Sequence, residues 1–149
     1  MKKRDCFFVF LLGLFFLTSY STMVAQTKKE WQPVFLQASG ANKLNGVEAS
    51  FQVATCNGED VVFVKFINHN TYTVKLEWFD AVFTQELKWI NKESSSDKKS
   101  VTLAANEETK GVCSTSGNPD LIVKMKNFIT NKKDFKRYST SQLLVIAVQ

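Results

Sequence analysis

The chain predicts an all-β, two-layer sandwich of seven to eight short antiparallel strands. Three observations carry this. Runs of four to nine residues rich in Val, Ile, Phe, Tyr and Thr alternate between polar and apolar positions. Turn-forming clusters separate those runs at short intervals. No segment shows a long stripe of helical period, although Val82, Phe83, Leu87 and Ile90 would also share a helix face. A small β-barrel is the alternative architecture.

The elements follow in order. Val34 to Leu36 reads as a short strand, with Pro33 marking an edge or a first residue. Val47, Ala49, Phe51 and Val53 fall on one face of the run 47–55. Val61 to Ile67 is apolar on both faces except at Lys65, which suits a central strand. Tyr72, Val74, Leu76 and Trp78 alternate with Thr73, Lys75 and Glu77, so Trp78 belongs to the core by phase. Residues 82–90, 101–103, 121–129 and 143–148 complete the set. Asn45-Gly46 and Asn57-Gly58 are strong turn signals. Residues 93–99 and 114–119 read as polar loops, and 130–142 as the longest loop.

The N-terminus has a different character. Lys2, Lys3 and Arg4 precede the apolar run Cys6–Leu17, and Val24-Ala25-Gln26 follows a polar stretch. This three-part pattern predicts a secretory signal peptide over residues 1–25. The apolar run is too short to span a bilayer, which needs about 20 residues. A single sandwich domain then occupies residues 26–149, and the product is not membrane-spanning. It is expected in the periplasm, at the cell surface or in the medium. Removing Lys2, Lys3, Arg4 and Asp5, a net +2, takes the full chain's +5 to +3. So mild a charge favours solubility and implies no nucleic-acid partner.

Cys56 and Cys113 survive the cut. An even count in an exported chain predicts a disulfide between them. With one distant His, they lack any zinc-site spacing. Trp78 lies between the two cysteines, as in an immunoglobulin-like sandwich. Cys113, however, sits in the polar stretch 107–114, and no Tyr stands two residues before it, so an antibody-type domain is not expected. The stretches Ile67–Trp78 and Ser100–Cys113 resemble small exported bacterial immunoglobulin-like modules. In those, an Asn-rich hairpin enters a strand ending in an aromatic, and a later strand leads into an acidic turn. The resemblance implies a fold and no site residues.

His69, the only histidine, reads as the tip of a hairpin in Asn68-His69-Asn70-Thr71. No nucleophile or orienting carboxylate is near it in sequence. Glu59-Asp60 and Glu107-Glu108 are sequence neighbours in turns and read as solvated. The richest candidate is 131–138. There Lys132, Lys133, Lys136 and Arg137 interleave with Phe135 and Tyr138, a mix that suits an anionic lipid or glycan. The bland reading of the same stretch is a solvated loop with its aromatics tucked onto the sandwich. Trp31 and Trp89 are open candidates for a carbohydrate platform. There is no glycine-rich phosphate loop, Gly-x-Ser-x-Gly, His-Glu-x-x-His or Cys-x-x-Cys. No cofactor and no enzymatic activity are therefore expected. The expected role is an exported binding or structural module of the cell envelope with a protein partner. A periplasmic carrier of a small molecule or lipid, or a peptidase inhibitor, is the alternative.

Overall fold

A computed structural model describes residues 30–148. The predicted signal segment lies outside them. Ten strands form two antiparallel sheets that face one another, and neither sheet closes on itself. The sandwich therefore holds and the barrel does not.

The first sheet contains β1 (Gln32–Pro33), β2 (Lys43–Leu44), β3 (Val47–Cys56), β4 (Glu59–Asn68), β8 (Glu108–Lys110) and β9 (Ile122–Lys124). Its order is β1-β3-β4-β8, with β2 also on β3 and β9 also on β4. The second contains β5 (Val74–Thr84), β6 (Trp89–Asn91), β7 (Lys99–Leu103) and β10 (Phe135–Ala147). Its order is β10-β5-β6, with β7 also on β5. The count exceeds seven to eight because half of the strands are only two or three residues long.

Local chemistry explains the longest unbroken pairing. Asn57 and Gly58 both take positive φ, 51° and 79°, as a two-residue primed turn requires. That turn sets β3 against β4 in unbroken register, from Val47 opposite Asn68 to Cys56 opposite Glu59. Asn45 and Gly46 do the same for β2 and β3, at 47° and 77°. Inner-face residues then fill the core. Phe66 of β4 meets Trp78 of β5 edge-on at 5.0 Å between ring centroids. Phe51 of β3 meets Phe135 and Tyr138 of β10, each at 6.1 Å. Val34, Leu76, Leu103 and Leu121 are fully buried among them.

Four expectations change. The link from β4 to β5 is not a hairpin, because it carries the chain from one sheet to the other. Asn68 anchors that crossing. It is fully buried, donates to the carbonyls of Tyr72 (2.9 Å) and Ala104 (2.8 Å), and accepts from the Asn70 amide. Tyr72 accordingly stays outside the strand and exposed. Residues 82–90 are the end of β5, a turn and β6. The Thr84 amide donates to the Lys88 carbonyl, and Leu87 takes positive φ. Residues 121–129 give only the short β9, between single turns of 3₁₀ helix at Pro119–Leu121 and Met125–Asn127. The supposed loop 130–142 is, from Phe135 onward, part of the longest strand.

Candidate functional site

The basic segment is divided by the fold. Lys132 and Lys133 sit in a 3₁₀ turn, capped where the Asn131 side chain accepts from the Lys133 amide. Lys132 forms an ion pair with Asp60. Phe135 packs against the core and Tyr138 lies wholly within it. Lys136 and Arg137 instead lie with the outward-facing Phe83 of β5. Among the described residues Lys133, Lys136 and Arg137 make no ion pair, so these three are what is left of the six-residue cluster. A register shift between Phe135 and Arg137 sets Lys136 beside Arg137 over Phe83 and leaves Phe135 and Tyr138, three residues apart, both inward.

His69 bonds Glu48 through Nε2, at 3.0 Å, on the half-exposed sheet crossing. Glu59 is bridged by Lys124 and Lys126, and those bonds, Lys126 first, hold its carboxyl below the usual range. Glu107 accepts from the Ala104 amide. Each acid of the two sequence pairs is thus solvated or engaged in a local contact. Among the described residues no three His, Cys, Asp or Glu side chains gather in a way that could hold a metal ion. Cys56 and Cys113 are bridged, with Cα atoms 5.5 Å apart, and tie the end of β3 to the loop after β8.

The densest polar site was not visible in sequence. Asp80 faces inward on β5. Its Oδ1 accepts from the Tyr138 hydroxyl (2.7 Å) and from Trp78 Nε1 (3.2 Å), and its Oδ2 pairs with Lys99 Nζ (2.8 Å). Lys99 Nζ also donates to the carbonyls of Asp120 (3.0 Å) and Ile122 (3.2 Å). All three of its N–H donors are used. Burial, reinforced by the Asp80 charge, pushes the Tyr138 phenol well above its ordinary 10, so it remains a donor. A cleft of about 280 Å³ opens beside this network, lined by Lys92, Lys98, Asn127 and Phe128 as well. With every donor and the carboxylate committed, the network is a clamp between β5, β7, β10 and the β9 segment. It leaves no free base or nucleophile.

The remaining feature is an edge. Among the described residues β10 pairs with β5 on one side only and ends the second sheet. Its outer positions before the bulge at Gln142 are Arg137, Ser139 and Ser141, opposite Phe83, Ala81 and Phe79. Register then slips between Ser141 and Leu144, with Gln142 at φ 52°. After the slip Leu143 and Val145 pack on the core, and Leu144 and Ile146 face out, 52% and 42% exposed. The run Ser141–Ala147 contains no charged residue and no Pro. Among the described residues no helix is long and apolar enough to cross a membrane. Neither a family model, a curated protein nor a solved structure matches the chain.

Proposed function

We propose that this chain is an exported, non-enzymatic binding module of the bacterial cell envelope that docks a protein partner by strand addition along β10. The observation that carries the reading is the edge at residues 143–147, which has no partner strand among the described residues. Sheet edges in soluble proteins are usually guarded by Lys, Pro, inward charges or a covering loop, because their unpaired N–H and C=O groups recruit other strands. Beyond the bulge at Gln142 the edge carries no charged residue and exposes Leu144, Ile146 and Val148. The occupant that fits is an extended, apolar segment of another protein. Backbone pairing supplies its affinity, and alternate side chains over Leu144 and Ile146 supply its selectivity. The signal-like N-terminus and the disulfide support an oxidising, exported setting.

Tagged wild-type and Ile146→Lys chains recovered from separated periplasm, outer membrane and medium test this. The wild type should retain a partner that the Ile146→Lys chain loses, with the same unfolding midpoint for both. A partner kept equally by both chains, or none with either, refutes the proposal. A wild-type chain that is itself a dimer through this edge also refutes it.

A further inference from the structure

We infer a second binding site, for an acidic saccharide, on the outer face of the second sheet. Cross-strand register builds it. Trp89 of β6 lies opposite Phe83 of β5, and Phe83 lies opposite Arg137 of β10. The three form one row across the sheet. Phe83 and Trp89 have ring centroids 4.7 Å apart. The Arg137 guanidinium carbon lies 4.9 Å from the Phe35 ring, 5.1 Å from Phe83 and 5.4 Å from Trp89. One step along the sheet, Ala81 stands between Asn91 and Ser139. Its small side chain leaves a hollow of about 200 Å³ beside Trp89, lined also by Asn91, Ser139, Thr140 and Ser141. A second hollow, of about 300 Å³, lies where Trp89 and Arg137 meet Phe35 and the chain after it.

Three features point to a ligand. First, Arg137 is a cation held among aromatic faces, with no carboxylate counter-ion among the described residues. Its Nε is enclosed and has no acceptor. Cation–π contact replaces only part of the lost hydration, so an incoming anion at the guanidinium gains more than it would at a solvated lysine. Second, Trp89 is 49% exposed yet fixed in place by Phe83 and Arg137, which makes a rigid apolar plate. Third, the hollow beside that plate is lined by Asn91, Ser139 and Ser141, which carry amide and hydroxyl groups.

The charges also set an orientation. Glu93 reaches over this face to Ser141, Asn91 and Gln142, and those bonds, Ser141 first, keep its carboxyl below the usual range. An anionic group is therefore repelled at the Glu93 end and drawn to the Arg137 end. A sugar ring satisfies all of this. Its C–H face covers Trp89, its carboxylate meets Arg137, and its hydroxyls turn to the hollow and Glu93. A bilayer of anionic lipid fits less well, because it offers no reason for the hydroxyl-lined hollow or for an ionised Glu93 beside it.

Ser141 borders both sites, but Trp89 and Arg137 lie apart from the edge at 143–147, so Trp89→Ala and Ile146→Lys test the two separately. Calorimetric and tryptophan-fluorescence titrations would use oligogalacturonate, an alginate oligomer and a sulfated oligosaccharide, with a neutral galacto-oligosaccharide and anionic vesicles for comparison. At least one acidic oligomer should bind and perturb tryptophan emission. Trp89→Ala and Arg137→Gln should each weaken it by about tenfold or more, the scale expected for losing a charged hydrogen bond or a stacking plate. Arg137→Lys, which keeps the charge without the plane, should fall between. Trp89 is exposed, so its variant decides the matter even if Arg137→Gln loses stability. Failure of the whole acidic panel, equal binding of the neutral oligomer, unaltered binding by Trp89→Ala, or binding to vesicles alone overturns the inference.

Discussion

Replacing Asp80 with alanine should cause the largest loss of stability of any single polar substitution in the described sandwich. The side chain is 7% exposed and serves three partners at once. Removing it strands the Lys99 charge, and breaking a buried pair costs about 3–5 kcal/mol. It also leaves the Tyr138 hydroxyl and the Trp78 N–H without an acceptor, at about 1–3 kcal/mol for each unsatisfied group. These losses share one carboxylate and do not add. Lys99 keeps 16% exposure and two carbonyl partners, which limits its share. The expected total is about 4 kcal/mol. For a domain of this size that corresponds to a fall of about 15 °C in Tm. Tyr138→Phe removes one donor and leaves the ion pair intact, so it should cost only about 1 kcal/mol. The double variant should lose less than the sum of the two. Urea unfolding followed by circular dichroism at neutral pH measures all three. A loss below about 1 kcal/mol for Asp80→Ala, or strict additivity with Tyr138→Phe, would refute the idea of a coupled buried network.

Three further outcomes are expected. The Cys56–Cys113 bridge spans a separation of 57 residues, so replacing both with Ser should cost about 4 kcal/mol on the chain-entropy model; alkylation of the native, unreduced chain should leave its mass unchanged. Bonds from Lys75 and Lys98 lower the Glu77 carboxyl from 4.5 to about 2. The unfolded chain takes up that proton first as acid is added. The associated stability is therefore complete above about pH 4.5 and is lost as pH falls toward 2, and Glu77→Gln should flatten this limb of a stability–pH curve. Gly46→Ala should cost about 1–2 kcal/mol in chemical unfolding, because position 46 needs φ of +77° and the new methyl would press on the Asn70 side chain.

Much of the fold was legible because local chemistry and global fold agree. Asn45-Gly46 and Asn57-Gly58 admit positive φ, so they fixed two hairpins before any packing was known. The alternation through Trp78 placed the core correctly, and the two cysteines left after the expected signal cut predicted the bridge. Other features needed long-range information. Asn68-His69-Asn70 suits a hairpin or a sheet crossing equally well, and the bonds from Asn68 to residues 72 and 104 decide between them. The bulge at Gln142 shifts the outward positions from odd to even numbers, so no single period runs through 135–147 and the first half of β10 read as loop. In 131–138 a register shift between Phe135 and Arg137 turns Phe135 and Tyr138 both inward, which strict alternation does not foretell. The partners of Arg137 were not readable there, because Phe35, Phe83 and Trp89 come from three separate elements. Asp80 and Lys99 likewise meet only across adjoining strands.

The central claim is that the free edge of β10 receives a partner strand. A photo-crosslinking side chain placed at Leu144 or Ile146, and at the equally exposed Tyr72 as a control, tests it in exporting cells. The account predicts one discrete adduct with a second protein from positions 144 and 146, and none from 72. Adducts of similar yield from all three positions, no adduct from the edge, or an adduct with a second copy of the chain would contradict it.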